Sequence, residues 1–104
     1  MTMGFVTVCN QRSLPQGQMV AFVVENKEVL VVWPQGGEMK AYHGLCPHQQ
    51  VPLKYGKFNG EKIVCPMHQW TFDGHTGKGL MANGCSLTEY PLRIEDGMVQ
   101  VEVS

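Results

Sequence analysis

Valine-rich runs of five or six residues, each ended by turn chemistry, most limit the folds open to this chain. Residues 5–9 (FVTVC), 19–24 (MVAFVV) and 28–33 (EVLVVW) are such runs, and LPQG, NK and PQGG stand beside them. Branched and aromatic side chains suit a pleated, half-buried surface, while Gly, Pro and Asn supply tight reversals. Three short strands are predicted. In the third, both the Val29/Val31/Trp33 side and the Leu30/Val32 side are apolar, which predicts a central strand covered on both faces. Near the C-terminus, Leu92 and Ile94 alternate with Arg93 and Glu95, and Val99, Val101 and Val103 alternate with Met98, Gln100 and Glu102. Asp96-Gly97 lies between them, a pair that tolerates the positive φ of a tight hairpin turn. No window carries a helical stripe, and twelve glycines and six prolines work against helices. The fold class is all-β, with an antiparallel β-sandwich or barrel as its base.

A chain of 104 residues suits one domain, 1–104. Within it, residues 43–85 have fewer β-branched residues and more Gly, His and Pro. This segment reads as a small loop-rich subdomain inserted in the β base, the usual way a rigid frame presents a site. A net charge of -1 with dispersed Lys and Arg gives no footprint for nucleic acid. Apolar runs such as VLVVW fall far short of the roughly 20 residues of a membrane helix, so no membrane partner is expected. The start MTMGFVTVCNQ lacks a basic stretch, a long apolar core and a small-residue cleavage site, so a cytoplasmic location is expected. In a reducing compartment the four cysteines point to metal rather than disulfides.

Two of those cysteines are paired with histidines: Cys46-Pro47-His48 and Cys65-Pro66-Met67-His68, with sixteen residues between His48 and Cys65. A catalytic cysteine needs one thiol and one base, so the duplication argues for shared metal binding. Zinc is the serious alternative, since two Cys and two His make a common tetrahedral site. Its pairs usually come as C-x₂₋₄-C and H-x₃₋₅-H, whereas here each loop mixes ligand types. A Rieske [2Fe-2S] centre requires that mixture, with two cysteines on one iron and two histidines on the other.

At C-x-H, sixteen residues, C-x₂-H the chain resembles the Rieske ferredoxin family. The resemblance runs through EVLVV, both loops and the closing TEYPLRIEDGMVQVEV. Through CPHQ, HQWTFDGHTGKG and CSLTEYPL it is most similar to the Rieske ferredoxins of toluene/o-xylene-type aromatic monooxygenases. Gln49 and Gln69 follow the histidines, where ferredoxins of dioxygenases commonly have glycine. The resemblance implies the Rieske fold and one [2Fe-2S] cluster, with Cys46 and Cys65 on the buried iron and His48 and His68 on the outer one. It also implies a one-electron carrier with no active site of its own, monomeric when free. Its partners would be an NAD(P)H-dependent flavin/iron-sulfur reductase and the di-iron hydroxylase of a toluene-type monooxygenase. Service to a ring-hydroxylating dioxygenase is the near alternative. A structural or redox-sensing small subunit using Cys9 or Cys85 is the more distant one.

High-potential members of the family carry a disulfide between the ligand loops and Ser and Tyr hydroxyls bonded to the cluster sulfurs. The matching positions here are Val51, Met67, Trp70 and Phe72, none of which supplies those groups. Without such bonds the reduced cluster is less stabilised, placing the potential low in the range of about -150 to +300 mV. Pro47, Gln49, Gln50, Met67, Gln69 and Trp70 flank the ligand positions and form the expected rim of a partner footprint. Trp70 and Phe72 are expected to pack as strand aromatics beneath the cluster, Cys9 as a buried thiol, His43 at a strand end, and His75 in an exposed turn. Cys85 falls on a loop expected to cover the cluster.

Overall fold

The computed structural model describes residues 4–46, 50–66, 70–80 and 86–103. They form ten strands and two short 3₁₀ turns. The β base begins with β1 (Val6–Asn10), β2 (Met19–Val24), β3 (Lys27–Val32) and β4 (Lys40–His43). It closes with β8 (Glu89–Tyr90), β9 (Leu92–Glu95) and β10 (Met98–Val101). Between them lie the very short β5 (Lys57–Phe58), β6 (Lys62–Val64) and β7 (Thr71–Asp73). All paired strands are antiparallel, in three sheets ordered β1-β10-β9, β2-β3-β4-β8 and β5-β6-β7.

Two tight turns set the register of the base. Glu25 and Asn26 take φ of 52° and 67° between β2 and β3, so that Val24 faces Lys27. Asp96 and Gly97 take 54° and 79° between β9 and β10, so that Glu95 faces Met98. Positive φ at both central residues gives a turn whose twist matches its flanking strands.

The four-stranded sheet divides two apolar cores, and β3 belongs to both. Val29 and Val31 join Leu14, Ala41, Val99 and Val101 in a core shared with the β1-β10-β9 sheet. Leu30 and Val32, from the opposite face of the same strand, join Tyr42, Leu53, Ile63 and Phe72 in a second core. The double-sided apolar pattern thus has a plain cause: each face supports a different layer.

Ile94 is 44 % exposed on β9, an edge strand of its sheet. Two expectations need correction. Cys9 is half-buried rather than buried, beside an irregularity in β1 between Thr7 and Cys9. His75 does lie in a turn but is half-buried, its ring so close to Gly37 that a Cβ there would collide with it.

Candidate metal centre

The second core contains both cysteines of the paired motifs. Cys46 is fully buried and Cys65 is 1 % exposed, and Leu30, Leu53, Ile63 and Phe72 belong to the same cluster. Each cysteine opens a six-residue loop of the same construction. In the first, a bridge between Leu45 and Pro52 closes the ends, and the Cys46 N–H donates to the Val51 carbonyl at 2.9 Å. In the second, Val64 pairs with Thr71 across β6 and β7, and the Cys65 N–H donates to the Trp70 carbonyl at 2.7 Å. Both loops therefore tie the cysteine amide to the carbonyl five residues ahead. The first is tightened further by the Gln50 N–H, which donates to the Cys46 carbonyl at 2.7 Å, with Gln50 at a φ of 57°.

His48 and His68, with Pro47, Gln49, Met67 and Gln69, lie outside the described residues, as does Cys85. Of the expected rim, Gln50 is exposed and Trp70 is half-buried against the second core. Phe72 is 1 % exposed within that core, as its position in the alternation predicts. His43 ends β4, and its Nδ1 lies 3.1 Å from the Tyr90 hydroxyl, which accounts for it without a metal.

Packing supports the two loops from below. The Leu53–Tyr55 turn leaves the first loop, anchored by the Leu53 N–H donating to the Gly44 carbonyl at 2.9 Å. Gly56 ends that turn where a Cβ would collide with the Val64 carbonyl oxygen, so only glycine lets the first loop's exit meet the second loop's entry. Tyr42 is the sole hydroxyl-bearing residue among the described residues buried in this core, and it donates to the Gly74 carbonyl at 2.9 Å. Burial, and then the carboxylates of Glu89 and Asp73, push its pKa above the ordinary tyrosine range. Neither Tyr42 nor Gly56 was singled out by the sequence patterns. The partners of Tyr42 and Gly56, Gly74 and Val64, come together only on folding.

This donor set fits an iron-sulfur group. Two thiols enclosed in one apolar core, each at the start of a loop whose ends are closed in the same way, suit thiolates held away from water. Among the described residues no disulfide joins these cysteines.

The sequence model of the family described as the Rieske [2Fe-2S] domain matches residues 4–91. The chain belongs to that family. This Rieske domain is 36 % identical over 98 residues to the ferredoxin component of an alkene monooxygenase system from Xanthobacter autotrophicus, covering 93 % of this chain and 80 % of the relative. It is 32 % identical to the ferredoxin component of a naphthalene 1,2-dioxygenase system from Pseudomonas putida, with each chain covered in full. Its structure matches the ferredoxin of carbazole 1,9a-dioxygenase from Nocardioides aromaticivorans with a TM-score of 0.84 at 29 % identity, over 96 % of this chain and 98 % of that one. Family membership brings one Rieske [2Fe-2S] cluster as the cofactor. Among the described residues, no helix is long and apolar enough to cross a membrane.

Proposed function

We propose that this Rieske domain is the electron carrier of an oxygenase system, passing single electrons from an NAD(P)H-dependent flavin reductase to a hydroxylase. The observation that carries the reading is the pair of matched loops, each opening on a buried cysteine in one shared core. When bound, the cluster supplies reversible one-electron chemistry. The chain's own contribution is to enclose the sulfurs, fix both loops and exclude water.

Cys46 and Cys65 are assigned to the inner iron and His48 and His68 to the outer one. Among the described residues no three His, Cys, Asp or Glu side chains converge on a metal position. His48 and His68, the second and third residues after their cysteines in the sequence, are assigned as the remaining ligands. Residues 43–85 act as the cluster-binding subdomain on the β base, and the chain works as one domain in the cytoplasm.

The acceptor is assigned as the di-iron hydroxylase of a toluene-type monooxygenase, on the strength of Gln49 and Gln69 after the histidines. The likeness to a naphthalene dioxygenase ferredoxin over the full chain supports a second reading, in which the acceptor is a ring-hydroxylating dioxygenase. Reconstitution with purified components separates them. Turnover with a di-iron hydroxylase and none with a Rieske dioxygenase is expected, and the reverse would replace the first reading by the second. No turnover with either acceptor, despite a reducible cluster, would refute the carrier role.

A further inference from the structure

Among the described residues, Tyr55 is the most exposed large apolar side chain, at 70 %. It stands on the turn that leaves the first loop, and Lys54 Nζ lies 5.4 Å from its ring centroid. Beside it runs a groove of about 260 Å³ lined by Tyr55, Gly56, Lys57, Val64, Cys65 and Pro66. Among the described residues no carboxylate lines it. Lys57 is exposed on β5, while Lys54 also pairs with Glu28 at 3.6 Å, so Lys57 is the less committed charge.

The wider charge distribution points the same way. Residues 43–85 carry four lysines against two carboxylates, whereas the rest of the chain carries four basic side chains against seven carboxylates. A net charge near zero thus conceals a basic loop-bearing segment and an acidic base. Such a separation orients a small protein in a partner's field before contact.

We infer that this groove docks an acidic loop of the electron donor, with Tyr55 as the aromatic anchor and Lys54 and Lys57 as its charged flanks. The inference rests on the carrier reading and adds which face meets which partner. Cys65 and Pro66 are part of the groove lining, so a donor seated there lies against the start of the second ligand loop. Charge selects donor over acceptor. An electron gained adds one negative charge to this segment, so an acidic surface holds the oxidised protein more tightly and releases the reduced one.

The test measures binding of the cluster-loaded protein to the purified reductase of its own system, alongside bleaching of the cluster by NAD(P)H through that reductase. Lys57→Glu should weaken binding at least about tenfold at roughly 20 mM salt and less than about twofold at roughly 0.5 M, where screening removes the charge effect. Tyr55→Ala should weaken it about fivefold or more at both salt concentrations, because the loss is of contact area. Arg12→Glu, on the base, should stay within about twofold, and the oxidised parent should bind more tightly than the reduced one. Each substituted side chain is exposed, and Lys57→Gln, with a smaller loss in the same direction, serves should Lys57→Glu lose its cluster. Binding by Lys57→Glu and Tyr55→Ala within about twofold of a parent that the reductase does bleach would overturn the groove alone. Equal or tighter binding of the reduced parent would overturn the donor assignment. A parent bleached by dithionite but not through the reductase would remove the carrier reading and the groove with it.

Discussion

Removing one buried oxygen at Tyr42 tests how the β base holds the metal-binding loops. The Tyr42 hydroxyl donates to the Gly74 carbonyl at 2.9 Å, tying β4 to the turn after β7, and both residues are buried. In Tyr42→Phe the ring stays and the carbonyl loses this donor. A buried polar group left without its partner costs about 1–3 kcal/mol, more than the net worth of an average hydrogen bond. For a domain near this size each kcal/mol lowers the melting temperature by about 4–8 °C. The assay is urea unfolding of the cluster-loaded protein, followed by circular dichroism and by visible absorption. At pH 7 the variant should unfold earlier by that free energy, with cluster loss and unfolding moving together. The pH dependence gives an independent check. The folded tyrosine, its pKa raised by burial and then by Glu89 and Asp73, stays protonated where the unfolded one ionises, near pH ~10. Its stabilisation is complete below about pH 10 and is lost as pH rises toward the raised folded value. The gap between parent and variant should therefore narrow above pH ~10. A difference under about 0.5 kcal/mol at pH 7, with parallel alkaline profiles, would refute the assigned bond.

The two cores should respond separately. Leu30→Ala and Leu14→Ala should each cost about 2–5 kcal/mol, but only Leu30→Ala, in the core with Cys46 and Cys65, should alter the cluster's visible spectrum and speed its loss to a chelator. Equal spectral effects would contradict the division by β3. A redox titration should place the midpoint low in the Rieske range, below about +100 mV, because Trp70 and Phe72 stand at the serine and tyrosine positions without hydroxyls and Tyr42 is bonded to Gly74. A value well above that would show sulfur bonds this account does not contain.

The base was legible in the sequence because its signals are local. The Asp96-Gly97 turn, the alternation of β10 and the two-sided β3 each depend on neighbours a few residues away. The small sheet was legible only in its last strand, Thr71–Asp73, where Trp70 and Phe72 alternate around Thr71. Lys57–Phe58 and Lys62–Val64 are too short to show a period, and they exist as strands only by pairing with their neighbours. The Cys/His spacing identified the cofactor class, yet it hid the equality of the two loops. C-x-H and C-x₂-H read as different motifs, while the bridges at Leu45/Pro52 and Val64/Thr71 make both loops six residues long. The exposure of Ile94 was not legible, because alternation marks a face without saying how far the opposing layer extends.

Nitrogen coupling in the paramagnetic resonance of the reduced protein tests the central claim most directly. One cluster held by Cys46, Cys65, His48 and His68 predicts two imidazole nitrogens coupled to the unpaired spin, and an average g below that of all-cysteine clusters. One nitrogen should disappear in His68→Cys, with a lowered midpoint. A spectrum without nitrogen coupling, or a colourless protein holding zinc, would contradict it.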